Sequence, residues 1–202
     1  IAVITYFRKD IVNFVKNKEL FFKIFISSIP VMLTGFLLVE LELINQLRNL
    51  QVIGWTTIIF GILLYISDKF SIENKIDNNF TIKSAMIIGM LQIFSLIPGV
   101  SRSGITITAA RILKFNRFDS AKISFLLSIP TLAAVSFFGL KNLVISNNID
   151  FSVLNLVSIF LSFIFSLITI KFFLNYIKNF NLNIFVIYRV ILGIFLIIIA
   201  YL

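Results

Sequence analysis

The chain has 202 residues, of which 59% are hydrophobic and only 13% charged, whereas a soluble domain carries about a quarter of its residues charged; a soluble domain is excluded and a multi-pass membrane protein is predicted. The 18 Lys and Arg against 9 Asp and Glu give a net charge of +9, which in so apolar a chain reads as loop charge that orients helices, so no nucleic-acid partner is expected. There is no cysteine and no histidine, which excludes disulfides, thiol metal sites and a histidine general base within this stretch.

In chain order, the opening IAVITYFRK reads as the last turns of a spanning helix running into a basic loop, with further sequence expected upstream. A span needs about 20 apolar residues, and such segments are predicted at 24–44, 52–68, 123–140 with an extension to 145, 152–175 and 184–202. The 24 phenylalanines are read as lipid-facing surface on these helices. Asn-rich polar connectors occupy 69–83 and 145–151, and no linker divides the chain, so residues 1–202 form a single predicted membrane domain.

Segment 84–113 does not fit this pattern. As one straight helix it would run about 45 Å, against a hydrocarbon thickness of about 30 Å. As a re-entrant hairpin, arms at 84–97 and 104–113 reach depths of about 21 and 15 Å, and PGVSRSG turns near or just beyond the midplane. Basic residues discriminate between the two, because cytoplasmic loops collect Lys and Arg. The hairpin places 14 of them inside and only Arg48 and Lys141 outside, whereas a straight span leaves 9 inside and 7 outside. The predicted fold class is therefore all-α, a multi-pass bundle with a re-entrant helical hairpin.

Backbone at membrane depth outside a helix must be satisfied by protein or by a watered cavity. Pro98 and Gly99 are expected to end the first arm, and Ser101 or Ser103 to cap the second, whose positive end then faces the turn with Arg102. That is an anion site. The guanidinium of Arg102 suits phosphate oxygens, and the hydroxyls of Ser101, Ser103 and Thr106 add polar contacts, so a diphosphate is the natural guest. The structural alternative is a proline kink with small residues for close packing and an arginine paired to a distant carboxylate.

Three stretches in order, QIFSLIPGVSRSGITIT (Gln92–Thr108), AKISFLLSIP (Ala121–Pro130) and FVIYRVILG (Phe185–Gly193), resemble the signatures of the undecaprenyl-diphosphate phosphatase, or bacitracin-resistance, family. The resemblance implies an enzyme of the bacterial inner membrane, built from two inverted repeats that each hold a re-entrant hairpin. Such an enzyme removes the terminal phosphate of undecaprenyl diphosphate to recycle the cell-wall carrier lipid. It implies catalytic roles for Ser101 and Arg102 and substrate contacts from Gly99, Ser103, Gly104 and Thr106, with Ser101 either nucleophile or phosphate ligand. It also implies a divalent cation such as Mg²⁺ or Ca²⁺, and a second half-site with glutamates and a histidine near the family's N-terminus that does not occur here.

Other polar residues read more plainly. Gln92 is a candidate for bonding the turn or substrate, or a neighbouring helix. Glu40 and Glu42 are two apart, on nearly opposite helix faces, and read as solvated. Asp68 reads as an interfacial helix end, and Tyr188 and Arg189 as an aromatic anchor with a snorkelling arginine. No metal ligands are assigned in this stretch, a homo-oligomer is left open, and a transporter or lipid flippase for an anionic substrate is the alternative function.

Overall fold

The computed structural model describes residues 1–11, 18–41, 48–70, 74–145 and 153–202. Its helices are α1 (Ala2–Tyr6), α2 (Lys18–Glu40), α3 (Leu50–Asp68), α4 (Ile76–Asn79), α5 (Ile82–Gln92), α6 (Arg102–Ile112), α7 (Arg117–Ile145), α8 (Val153–Asn179) and α9 (Asn183–Tyr201). A 3-10 segment, Ile93–Leu96, continues α5. Among the described residues there is no strand, only an isolated parallel bridge between Asn74 and Phe115. Five helices, α2, α3, α7, α8 and α9, are long and apolar enough to cross a membrane. These are the five predicted spans, with ends shifted by up to six residues. Large apolar side chains such as Phe21, Phe36, Phe160 and Phe172 cover their outer faces, as a lipid solvent requires.

The odd segment is a hairpin. Asn74, just before α4, pairs with the residues just after α6, its N–H donating to Lys114 O at 3.1 Å and its Oδ1-bearing side chain reaching Leu113 O through Nδ2 at 2.8 Å. Ile76 N donates to Asp119 Oδ2 at 3.1 Å, on the first turn of α7. The chain therefore enters and leaves α5–α6 at one end of the bundle, the basic end. The first arm stops earlier than Pro98 would dictate: α-helix ends at Gln92 and tightens into 3-10 geometry before the proline.

Close backbone approach holds the arms. A Cβ on Gly89 would run into the main chain of α2 at Ser27, with Ser27 C and Cα at 2.8 and 2.9 Å, while Gly35 further along α2 meets Leu96. The two helices thus run parallel, both starting from the basic end. Between lipid-solvated helices such small-residue contacts replace the hydrophobic drive of water. Gly89→Ala is expected to destabilise the protein by about 1–3 kcal/mol through overpacking, read as a lower unfolding midpoint in detergent.

At the same end, α3, α6, α7 and α9 are tied by one buried carboxylate. Asp68 accepts from Arg117 Nε at 2.7 Å and Nη2 at 3.0 Å, and from the Leu182 N–H at 3.2 Å. Arg111 Nε lies 3.3 Å from Asp68 Oδ1, a close charge contact without hydrogen-bond alignment. The Arg111 guanidinium also caps the carbonyls of Phe115, Asp68 and Phe70 at 2.7, 2.8 and 3.0 Å. The reading of Asp68 as an interfacial helix end is corrected in that its side chain is buried, and Arg111, one of the basic residues counted to the inside loops, is buried with it. A pair of guanidinium groups and a main-chain donor replace the water that the carboxylate gives up.

Candidate active site

The turn at residues 97–101 sits beside α3. Thr56 Oγ1 lies 2.6 Å from Pro98 O, and Thr57 Oγ1 lies 3.2 Å from Gly99 O. Each hydroxyl has a single proton and also reaches a carbonyl of its own helix, Val52 O at 2.7 Å and Ile53 O at 2.6 Å. These threonines are about 10 Å along α3 from its start and about 17 Å from Asp68 at the basic end, so the turn is past the middle of the span, away from the basic side.

Two residues of the turn have positive φ, Gly99 at 91° and Ser101 at 67°. Glycine adopts that region freely, whereas for serine it costs about 1–3 kcal/mol and persists only when its surroundings hold it. Here Arg189 on α9 does the holding. Its Nη2 donates to Gly99 O at 2.9 Å and Val100 O at 2.8 Å, so the turn's carbonyls are drawn toward α3 and α9.

That leaves donors on the other side. Ser101 is the N-cap of α6, its Oγ accepting from Gly104 N at 3.3 Å and lying 3.5 Å from Ser103 Oγ. The N–H groups of Ser101, Arg102 and Ser103 have no partner among the described residues. Unpaired amides at a helix start attract an anion. Ser101, Ser103, Gly104 and Arg189 form the polar wall of a cavity of about 470 Å³ whose other walls include Ile53, Leu64, Phe185, Leu192 and Leu196. A polar head with an apolar remainder is the shape of guest this accommodates.

Not every predicted site residue meets this cavity. Ser101, Ser103, Gly99 and Gly104 line it, whereas Arg102 leans toward α7, with Nη1 donating to Thr131 Oγ1 at 2.7 Å. Arg102 remains partly exposed. Thr106 is buried, its Oγ1 2.6 Å from Ser124 Oγ on α7 and 2.9 Å from Arg102 O, which ties α6 to α7 and keeps the hydroxyl off the cavity wall. Gln92 is 0% exposed and neither of its amide atoms has a partner among the described residues, so it bonds neither the turn nor a described neighbouring helix.

Arg189 was not among the predicted site residues. Tyr188 is 64% exposed, as an interfacial anchor should be, but Arg189 is 8% exposed and points inward. The signal was its place one position after an anchor on a helix: adjacent residues differ by about 100° around the axis, so a lipid-facing Tyr188 turns Arg189 toward the bundle. Glu40 is exposed at the end of α2, and Glu42 lies outside the described residues. Among the described residues no three His, Cys, Asp or Glu gather to hold a metal ion. The turn offers hydroxyls and guanidinium groups rather than carboxylates, a donor set unsuited to a hard divalent cation.

The model of the family described as "Bacitracin resistance protein BacA" matches residues 1–195. The chain belongs to the BacA family. An undecaprenyl-diphosphatase of Pelagibacter ubique is 50% identical over 202 residues, all of this chain and 78% of the relative. Those of Saccharophagus degradans and a Jannaschia species are 40% and 37% identical, covering 95% and 91% of this chain and 76% and 68% of theirs. This BacA-family chain thus carries its polar turn inside a multi-pass membrane bundle, at the wall of an otherwise apolar cavity.

Proposed function

We infer that this protein hydrolyses undecaprenyl diphosphate to undecaprenyl phosphate and inorganic phosphate in the bacterial plasma membrane, with the start of α6 as the diphosphate site. The observation that carries the site assignment is the turn itself. Its carbonyls are drawn aside by Thr56, Thr57 and Arg189, and its free amides and two serine hydroxyls meet at the polar wall of the cavity.

In the reaction, water or a hydroxyl attacks the terminal phosphorus, the bond to the bridging oxygen breaks, and the electron pair leaves with the lipid monophosphate. Such a transition state spreads charge over the phosphoryl oxygens, and positioned donors supply most of the catalysis. The α6 amides bind these oxygens, and Arg102, partly exposed and held by Thr131 on the α7 side off the cavity wall, adds its positive charge beside the helix start. Ser101 Oγ already accepts from Gly104 N, and among the described residues no basic side chain is bonded to it, which supports a phosphate ligand rather than a nucleophile. A divalent cation is what the family resemblance implies, and carboxylates to hold one are not gathered among the described residues.

The test is phosphate release from undecaprenyl diphosphate by purified protein, with saturation kinetics expected. Ser101→Ala should slow turnover by about 10²- to 10³-fold, the scale of one lost transition-state donor. Abolished turnover with substrate binding retained would make Ser101 the nucleophile instead.

A further inference from the structure

Arg189 has two nitrogens that the turn's carbonyls do not use. Nη2 makes both carbonyl bonds, to Gly99 and Val100, while Nε is buried without a partner. Nη1 has no partner among the described residues, and it lies against the start of α6: a Cβ added to Gly104 would sit 2.5 Å from it. On its other side the stem of Arg189 runs close to α3, where a Cβ built on Gly61 would come within 3.3 Å of Arg189 Cβ. A guanidinium held by two charge-assisted bonds and by its stem has little freedom left to lose. Its remaining donor faces the cavity wall that Ser101, Ser103 and Gly104 share.

We propose that Arg189 is a second guanidinium of the diphosphate site, contacting a phosphate oxygen through Nη1 beside Gly104 while Nη2 holds the turn open. The proposal rests on the reading of the α6 start as a diphosphate site. It gives Gly104 a reason: any side chain there would displace Nη1 from the approach. It also divides labour between the two arginines. Arg102 approaches from the α7 side, where Thr131 holds it, and Arg189 from the α9 side.

The experiment is a double-substitution cycle on the full-length protein in detergent, read as the dissociation constant for inorganic diphosphate and, separately, as phosphate release from undecaprenyl diphosphate. Gly104→Ala retains the Arg189 side chain but pushes hardest against its end, at 2.5 Å, and less against Ser101 Oγ, at 3.2 Å, and Arg189→Lys keeps the charge while removing the forked donor. Each is expected to weaken diphosphate binding by about 10- to 100-fold, the worth of one charge-assisted bond. Gly104→Ala should then add less than about threefold in the Arg189→Lys background, because both remove the same contact.

Full additivity, or wild-type affinity in Gly104→Ala, overturns the proposal and reduces Arg189 to a clamp on the turn. Arg189→Met gives a second cycle should the lysine variant fold poorly. The two readings fail separately. A non-additive cycle in a wild type that releases no phosphate removes the phosphatase activity and leaves the anion contact. Additivity in an active wild type removes the contact and leaves the activity.

Discussion

Asp68→Ala is expected to lower stability by about 3–5 kcal/mol, the cost of stranding buried charge. The substitution removes the partner of Arg117 and leaves Arg111, 1% exposed, with a positive charge and only carbonyls around it. It also frees the Leu182 N–H at the entry to α9. Four helices lose their common tie at the basic end, so the effect should appear as a lower unfolding midpoint in detergent and poor accumulation in the membrane. Asp68→Asn keeps the volume and one acceptor and should lose less. Replacing Asp68, Arg111 and Arg117 together by apolar residues of similar size should recover much of the loss, because a buried ion cluster is often no more stable than a packed apolar one. Equal midpoints for Asp68→Ala and the wild type would show that the network contributes nothing.

The same cluster marks the boundary of what the sequence discloses. Five spans and the hairpin were legible because lipid imposes a length: about 20 apolar residues cross, and 30 with a proline and an arginine do not. That a serine caps α6 was legible for a similar reason, since serine before a helix start has a local role, but the choice of Ser101 over Ser103 is the structure's. Asp68 and Arg111 are 43 positions apart, and nothing local distinguishes a helix-end charge in water from one buried against a partner. The inward turn of Arg189 and the sideways lean of Arg102 toward Thr131 are likewise settled by which helix packs where. Gln92 shows the reverse, a residue whose polarity suggested a contact and whose burial supplies none. An uncharged amide at helix spacing gives no sign of whether its neighbour is polar.

Arg102→Ala is expected to lower kcat for phosphate release by about 10³-fold or more, the scale on which phosphoryl transfer depends on a charge-neutralising arginine, with membrane insertion intact. Insertion should survive because the side chain is partly exposed and makes one side-chain hydrogen bond, to Thr131, rather than tying several helices as Asp68 does. Thr131 separates charge from placement. Its own hydroxyl proton is directed at Leu127 O, 3.0 Å away, or Ser128 O, 3.2 Å away, so a lone pair is left to receive Arg102 Nη1. Thr131→Val keeps the shape and deletes that acceptor, leaving the guanidinium charged but without its anchor. If Arg102 acts chiefly through its charge, Thr131→Val should cost less than about tenfold in kcat, and Arg102→Lys should retain part of the rate. Losses in Thr131→Val as large as in Arg102→Ala would mean that orientation on α7, rather than charge at the turn, is what the arginine supplies. Undiminished turnover in Arg102→Ala would remove it from the chemistry and leave the phosphate to the α6 amides, the serine hydroxyls and Arg189.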